Sequence, residues 1–421
     1  MLARRLSASL AVVALAVLGG GPTRAAAPPE IVIGSVLPLT GGSAQTGALL
    51  RTAQQLAADL VNGHVSYPLP MVGKSGLPHL GHARIRLVFA DSQGKPDQAR
   101  AAAEQLITQE HAVALIGTYA SSTTATASQV AERYGVPFLN PDSSAPGLTA
   151  RGLKWFFRTT PHDGTFAENF FQFFADMKKK NKSFAVKRVA IVGEDGLFGT
   201  GASDAEEALV KKNGYELATR IAYTATTSEV NAEIQKIKTA APDVIMQASY
   251  VPDALLYMRG YKQQGVDVKA ILAQDAGFID PTFIKTLGAD AEGIFTREVF
   301  SLEIKHRNQA VPLIDQLFRE RAGKPLDGNS ARDFMGVLVL ADAIDRAGST
   351  KPDAMRKALQ ATNIPGKLTL MPWNRIHFDA TGQNDGGVGI IEQVQDGKYQ
   401  TVWPFDVAVR PAIWPMPAWK R

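Results

Sequence analysis

The chain has 421 residues, which is too long for one ordinary domain and enough for two. Hydrophobic residues make up 45% of it and charged residues 20%, both close to the averages for soluble globular proteins. The chain contains no cysteine, which excludes disulfide frameworks, thiolate metal sites and cysteine nucleophiles. The formal net charge of +5 includes Arg4, Arg5 and Arg24 near the N-terminus, so the remainder is nearly balanced and gives no support for a nucleic-acid partner.

The N-terminus has the layout of a secretory signal peptide. Arg4 and Arg5 form a basic patch, residues 6–18 are apolar apart from two serines, and residues 25–27 are alanines that suit cleavage. The apolar run is too short for a membrane anchor, because a spanning helix needs roughly 20 residues. We therefore predict that residues 1–27 are a cleaved signal peptide and that, with no cysteine to carry a lipid, the exported protein is soluble.

From residue 30 onward, short β-rich apolar runs alternate with amphipathic helical stretches. Leu49, Ala53, Leu56 and Leu60 repeat at the spacing of one helix face. The other elements predicted in this first series are strands at 31–33, 85–89, 113–116 and 136–139 and helices at 98–109 and 121–134. Such alternation indicates βαβ units and a parallel sheet covered by helices on both faces.

The same alternation then starts again. The second series comprises helices predicted at 163–180, 200–212, 229–238 and 253–264 and strands at 189–192, 217–223, 244–246 and 270–272. Two series of this length predict an α/β protein with two doubly wound parallel-sheet lobes. Because such sheets bind ligands at the carboxyl ends of their strands, two facing lobes form a cleft between them.

Residues 63–83 interrupt the first series with several glycines and prolines. We predict a long surface insertion here, with a hairpin as one form it could take. His64, His79 and His82 lie within it, but no carboxylate or cysteine is arranged beside them. Surface histidines are therefore favoured over a metal site, and no metal is predicted.

The sequence predicts no catalytic residue and no cofactor. Residues 196–201 follow a strand, but their glycines are in the order GxxGxG rather than the GxGxxG of a dinucleotide loop. A tight turn that directs Phe198 into the cleft is the favoured interpretation. Glu194 and Asp195 are adjacent and point apart, which argues against paired acid–base chemistry, and neither GxSxG nor HExxH occurs.

Residues 117–124, with the sequence GTYASSTT, join the third strand to its helix. We expect the serines and threonines to cap this helix and to leave N–H groups and hydroxyls facing the cleft. Together with the helix dipole, these donors suit a carboxylate. Simple capping, without any ligand, is an equally good explanation of the segment.

These loops carry a resemblance to a known family. The segments are 31–34 (IVIG) with 38–41 (PLTG), 116–117 followed by 121–123 (SST), 141–152 (PDSSAPGLTARG), 158–160 (RTT) and 189–199. The chain resembles the leucine/isoleucine/valine-binding proteins, which are type I periplasmic binding proteins that serve ABC transporters for branched-chain amino acids. The resemblance covers nearly all of the chain from about residue 30.

The resemblance implies a set of ligand-binding residues. Ser121 holds the ligand carboxylate, and Ser144 helps to grip both the carboxylate and the ammonium group. Asp275 pairs with the ammonium group from the second lobe. Phe198 and Tyr250 are aromatic residues that close over the ligand, and Tyr119 lies beside its apolar part. Asp142 departs from the family pattern, because it stands where the family often has a small residue.

The resemblance also implies that each lobe is built from separated segments joined by three crossings, here near residues 161, 299 and 386. Lobe one then comprises 28–161 and 299–386, and lobe two comprises 162–298 and 387–421.

We thus expect a periplasmic substrate-binding protein that works as a monomer and delivers a small amino acid-like ligand to a membrane ABC permease. Asp142 and the aromatic residues leave open an aromatic carboxylate or short amide as the ligand instead. An exported hydrolase is the remote alternative, because no general base stands beside either serine in the sequence.

Overall fold

The structure is a computed structural model that describes residues 29–304 and 308–419. The predicted signal peptide at residues 1–27 lies outside the described residues.

The first sheet has five strands in the order β2-β1-β3-β4-β5, and all of its pairs are parallel. Its strands are β1 (Glu30–Leu37), β2 (Arg84–Asp91), β3 (Ala114–Gly117), β4 (Phe138–Asn140) and β5 (Phe156–Arg158). The helices α1 (Ala44–Asn62), α2 (Pro96–Thr108) and α3 (Ser121–Tyr134) connect them. This is the predicted first βαβ series.

Helices cover both faces of this sheet because its buried strands are apolar on both sides. Ile33 and Val36 of β1 belong to two separate apolar clusters, one on each face. The cluster around Val36 contains α2 and α3. The cluster around Ile33 contains α1 and three helices from much later in the chain, α9 (Val311–Ala322), α10 (Gly328–Ala347) and α11 (Pro352–Gln360).

The second sheet has seven strands in the order β14-β13-β10-β9-β8-β6-β7. They are β6 (Arg188–Glu194), β7 (Glu216–Tyr223), β8 (Val244–Ala248), β9 (Ala270–Ala273), β10 (Phe295–Glu298), β13 (Ile390–Gln395) and β14 (Lys398–Trp403). The helices of this part are α4 (Asp163–Lys180), α5 (Leu197–Lys212), α6 (Asn231–Ala240), α7 (Val251–Gln264) and α8 (Pro281–Leu287). A separate two-stranded ribbon pairs β11 (Asn363–Pro365) with β12 (Arg375–His377).

One edge of the second sheet departs from the predicted parallel arrangement. Strand β13 runs antiparallel to both β10 and β14. The hairpin between β13 and β14 turns at Asp396 and Gly397, whose φ angles are +53° and +70°. Because a two-residue Asp-Gly turn with positive φ matches the twist of a hairpin, the chain reverses here and adds two antiparallel strands.

The predicted elements agree closely with the observed ones. Helices α3 and α4 have the predicted bounds, and the predicted strands lie within the observed ones or overlap them. Helix α5 begins at Leu197, three residues before its predicted start, because Gly196 takes the N-terminal flanking position.

The segment 63–83 is irregular, as its composition predicts, but it is a surface insertion only in part, since some of its residues are buried. A short 3₁₀ turn at Pro78–Leu80 and a single bridge between Leu77 and Ala83 replace a hairpin. Leu69, Val72 and Leu77 are buried in the cluster that contains α1 and α10. The backbone N–H and ring Nδ1 of His79 bond to the Asp345 carboxylate, at 2.9 and 2.7 Å.

Three connecting segments link the parts of the chain that form the two sheets. They follow β5, β10 and β12, at residues 159–162, 299–304 and 378–389. The crossings expected near residues 161, 299 and 386 fall within them, while the lobe boundaries themselves stay a prediction.

The C-terminal residues pack along the second sheet. The Trp414 ring lies 4.5 Å from that of Phe184, and the backbone N–H of Met416 donates to the Lys269 carbonyl oxygen at 2.8 Å. The C-terminal tail therefore belongs to the hydrophobic core of the second sheet. In the described ranges, no helix is long and apolar enough to cross a membrane.

Candidate functional site

A cavity lies between the carboxyl ends of the strands of the two sheets. All seven predicted site residues line it, together with four others: Tyr119, Ser121, Asp142, Ser144, Phe198, Tyr250 and Asp275, with Ser143, Ala276, Asn329 and Arg332. The volume open to the centre of a water molecule is only about 20 Å³, so the two walls are closed on each other.

The wall from the first sheet is built on the N-terminus of α3. The expected serine and threonine caps are absent from this terminus, because its flanking residue is Ala120. The Tyr250 hydroxyl of the opposite wall bonds to the backbone of Ser121. The Thr124 hydroxyl bonds to that of Ser143 at 2.6 Å, which ties the helix to the loop after β4. Ser121 Oγ accepts from the Ala145 N–H at 3.3 Å. Hydroxyl groups thus fix one loop against the other.

Asp142 and Ser144 lie on the loop after β4, which is shaped by Asn140. The Asn140 side-chain oxygen accepts from the N–H groups of Asp142 and Ser143, at 3.1 and 2.9 Å, and its amide donates to the Ser143 carbonyl oxygen at 2.8 Å. Asp142 Oδ1 lies 2.9 Å from Arg332 Nε, whereas the buried Oδ2 has no hydrogen-bond partner.

Aromatic rings from the two walls of the cleft lie against each other. The Tyr250 ring lies 5.6 Å from that of Tyr119, on the opposite wall, and 5.3 Å from that of Phe198. Phe198 stands at the start of α5, as the tight-turn interpretation predicts. The donors of that turn are already used, because the Glu194 carboxylate accepts from the N–H groups of Gly196 and Gly199 at 2.6 and 2.7 Å. A second anion such as a phosphate would be repelled there.

Asp275 differs from its predicted role. Its Oδ2 accepts from Arg297 and, at 2.9 Å, from Arg332, while its Oδ1 accepts from the Ala276 N–H at 2.5 Å. The expectation of a lone acid is therefore wrong, whereas the pairing of Asp275 with a ligand ammonium group stays a prediction. The backbone at Asp275 and Ala276 has φ of +30° and +43°, a strained conformation that holds the carboxylate between the two guanidinium groups.

Two arginines and one further acid at the site were missed by sequence reasoning. Arg297 is fully buried and also bonds to Asp163 Oδ1 at 2.9 Å and to Ser144 Oγ at 3.2 Å. Together these groups form an acid–arginine cluster: Asp142, Asp163, Asp275, Arg297 and Arg332. The only local signal in the sequence was the presence of charged residues inside otherwise apolar elements, in β10 and α10.

The cluster alters the acidity of its carboxyl groups. Burial raises the pKa of Asp163 to about 6, although Arg297 opposes the shift. Burial also raises the pKa of Asp142 well above its usual value, again against the effect of Arg332. Three carboxyl groups face two guanidinium groups, so one acid lacks a balancing cation within the cluster.

Glu206 of α5 extends the cluster into the second core and makes stability depend on pH. Its Oε1 accepts from the Gln274 amide at 2.8 Å, and Gln274 Oε1 accepts from Arg297 Nε at 3.1 Å. Burial raises the pKa of Glu206 from 4.5 to about 8. The folded chain therefore keeps a proton that the unfolded chain loses.

We expect the Glu206 contribution to stability to be complete below about pH 4.5 and to be lost as the pH rises through about 8, at up to about 1.4 kcal/mol per pH unit. Glu206→Gln should remove this part of the pH dependence. Urea unfolding of both proteins at about pH 5, 6.5 and 8 measures the difference. If the two stability curves ran parallel, Glu206 would not carry the predicted proton.

The fold and the cleft define a class of protein with two α/β lobes and a cavity between them. Residues 30–398 match the sequence model of the family described as "Periplasmic binding protein". The chain therefore belongs to the periplasmic binding proteins, and within them to the type I, leucine/isoleucine/valine-binding group.

Three known proteins show what this chain is similar to, the first in sequence and the other two in fold. A Leu/Ile/Val-binding protein homolog 7 of Brucella suis is 26% identical over 416 residues, which cover 95% of this chain and 97% of that protein. The branched-chain amino acid transporter substrate-binding protein LivJ of Streptococcus pneumoniae, solved with isoleucine, has a TM-score of 0.74 at 19% identity and covers 92% of this chain and 100% of its own. A solute-binding protein of Rhodopseudomonas palustris, solved with 3,4-dihydroxybenzoic acid, has a TM-score of 0.73 at 17% identity, with coverages of 92% and 98%.

Proposed function

We propose that this protein is the periplasmic substrate-binding component of an ABC transporter, which binds a small amino acid-like ligand between its lobes and delivers it to the permease. The observation that carries the proposal is the convergence of polar and aromatic side chains from both sheets on one closed cavity. The proposal keeps the lobes expected from the sequence, with a signal peptide at 1–27 that directs export and a monomer as the working form.

The cavity offers complementary groups for a zwitterion. Ser121 and Ser144 stand beside the N-terminus of α3, where the flanking residue Ala120 provides no side-chain cap, so a ligand carboxylate gains hydroxyl and helix-end donors there. The carboxylates that line the same cavity suit an ammonium group. Tyr119 and Tyr250 provide an apolar wall between the two ends. Binding in the closed state lets a transporter distinguish loaded from empty protein.

A second candidate is an aromatic carboxylate or a short amide. The observation that favours it is the trio of rings at Tyr119, Phe198 and Tyr250, with Arg332 beside them as a cation for a carboxylate. The Rhodopseudomonas palustris protein solved with 3,4-dihydroxybenzoic acid has a related fold.

Binding is favoured over hydrolysis by the contacts of the two serines. Ser144 Oγ accepts from the Arg297 guanidinium, which cannot act as a base, and Ser121 Oγ accepts from a backbone N–H. The Ser144 hydroxyl also bonds to the Asp163 carboxylate, but Arg297 holds that carboxylate in an ion pair at 2.9 Å. None of the residues that line the cavity is a histidine, the usual base for such a nucleophile. We therefore propose a transport role without catalysis.

Thermal-shift and calorimetric titration against a panel of free amino acids, benzoates and short amides tests the function. A ligand at about 100 times its dissociation constant should stabilise the protein by about 2.7 kcal/mol. Native mass spectrometry should recover that ligand unchanged, whereas a cleaved product would favour the hydrolase. Failure of the whole panel to raise the melting temperature would contradict the proposal.

A further inference from the structure

Unsatisfied polar atoms in the cavity show which groups are open to a ligand. Asp142 is only 5% exposed, and its Oδ2 has no hydrogen-bond partner although the side chain lines the cavity. The Tyr119 hydroxyl, on the same wall, is also buried without a partner. Buried polar atoms are almost always hydrogen-bonded in proteins, so such exceptions in a cleft require an explanation.

The two carboxylates that line the cavity, Asp142 and Asp275, differ in whether both of their oxygens already accept hydrogen bonds. Both oxygens of Asp275 are occupied, one by the Ala276 N–H and the other by Arg297 and Arg332. Asp142 has only one oxygen near a cation, at 2.9 Å from Arg332 Nε. Arg332 Nε has no hydrogen-bond partner, so this contact is an ion pair without a hydrogen bond, and Oδ2 is free to accept a further bond.

We propose that Asp142, rather than Asp275, receives the amine or amide N–H group of the ligand, and that Asp142 thereby selects molecules with such a donor over plain carboxylates. This inference rests on the proposed binding function and adds a specificity-determining residue to it. The resemblance to the family implied no such role for position 142, where a small residue is common.

The charges around Asp142 support this selectivity. The acids Asp275, Asp327 and Asp333 all act on Asp142, and Arg332 is the cation that opposes them. A positive or donor group of the ligand at Oδ2 supplies the bond that the site lacks and compensates the excess of acids. A plain carboxylate at the same place brings no donor and adds a like charge, which disfavours its binding.

Matched pairs of probes test the proposal by isothermal titration calorimetry. L-leucine and 4-methylpentanoate share one carbon skeleton and differ in the amine, and benzamide and benzoate differ in the amide N–H. In at least one pair we expect the wild-type protein to bind the donor-bearing member at least tenfold more tightly. The replacement Asp142→Asn should reduce that ratio at least tenfold, because the amide keeps the size of the carboxylate but loses its charge.

Two further variants separate this role from structural effects. Asp195→Asn changes an exposed carboxylate after β6 and should keep the wild-type ratio. Asp275→Asn should weaken both members of a pair by similar factors, because it weakens closure rather than one contact. Melting curves of each variant establish that it is folded.

The outcomes distinguish the two levels of the proposal. Equal binding of both members by the wild type, a preference for the plain carboxylate, or an unchanged ratio in Asp142→Asn would each overturn the role of Asp142 and leave the transport function standing. Binding of none of the four probes, together with failure of the wider panel, would overturn the binding function and this inference with it.

Discussion

Replacing Asp275 with alanine is expected to lower the free energy of unfolding by about 3–5 kcal/mol. The variant leaves the buried guanidinium groups of Arg297 and Arg332 without the carboxylate that they share. Arg332 belongs to α10, which packs on the first sheet, and Asp275 follows β9 of the second sheet. Their ion pair therefore holds the two walls of the cleft together, and its loss should also favour an open form.

Urea unfolding measures the stability, and small-angle X-ray scattering measures the opening as an increased radius of gyration. Asp290→Ala is the matched control, because it removes a carboxylate from a partly exposed pair with Lys262 and should cost no more than about 1 kcal/mol. Equal losses in the two variants would show that the Asp275 carboxylate is not the shared anchor described above.

The second large effect is expected at Arg158, whose replacement by alanine should cost about 3 kcal/mol or more. This fully buried side chain donates to Gln383 Oε1 at 2.7 Å, the Ala145 carbonyl oxygen at 2.7 Å and Thr149 Oγ1 at 3.1 Å. Each acceptor is buried and would lose its donor. Because Ala145 follows Ser144, the loop after β4 would also lose its link to Gln383 in the connecting segment 378–389. The dissociation constant of the ligand should therefore rise about tenfold.

Chemical denaturation and ligand titration of Arg158→Ala test both effects. Arg158→Lys should recover only part of the stability, because lysine lacks the planar fork that reaches several acceptors at once. The control Arg133→Ala removes an exposed arginine that pairs with Glu104 and should be nearly neutral. A Lys variant with full stability would contradict the role of the guanidinium geometry.

Much of the fold could be predicted because its determinants are local. Apolar periodicity and turn residues located α3 and α4 to the residue. The same local signals failed at 63–83, where glycine and proline correctly indicated irregular backbone but did not reveal that Leu69 and Val72 are buried. The Asp396-Gly397 turn was visible in the sequence, yet its antiparallel hairpin was missed because the preceding pattern was all parallel.

The site was predictable where a loop motif carries it, and not where charges meet across the fold. Ser121, Ser144, Phe198 and Tyr250 line one cavity, as the resemblance implied. Asp275 was assigned to the cleft, but its arginine partners were not predicted, since the position of Arg332 in space depends on how α10 packs. No spacing in the sequence encodes that contact.

The late position of α10 and α11 in the chain has a consequence for the order of synthesis. Ile33 of β1 shares an apolar cluster with Leu338 of α10 and Leu359 of α11. The first strand to be synthesised therefore cannot complete its packing until these late helices have been synthesised. A nascent chain that ends before α9 would have only α1 on that face of the first sheet and would expose the rest of the face to water. The N-terminal 161 residues should consequently aggregate or remain unfolded when produced alone, and folding can finish only after nearly the whole polypeptide has been released.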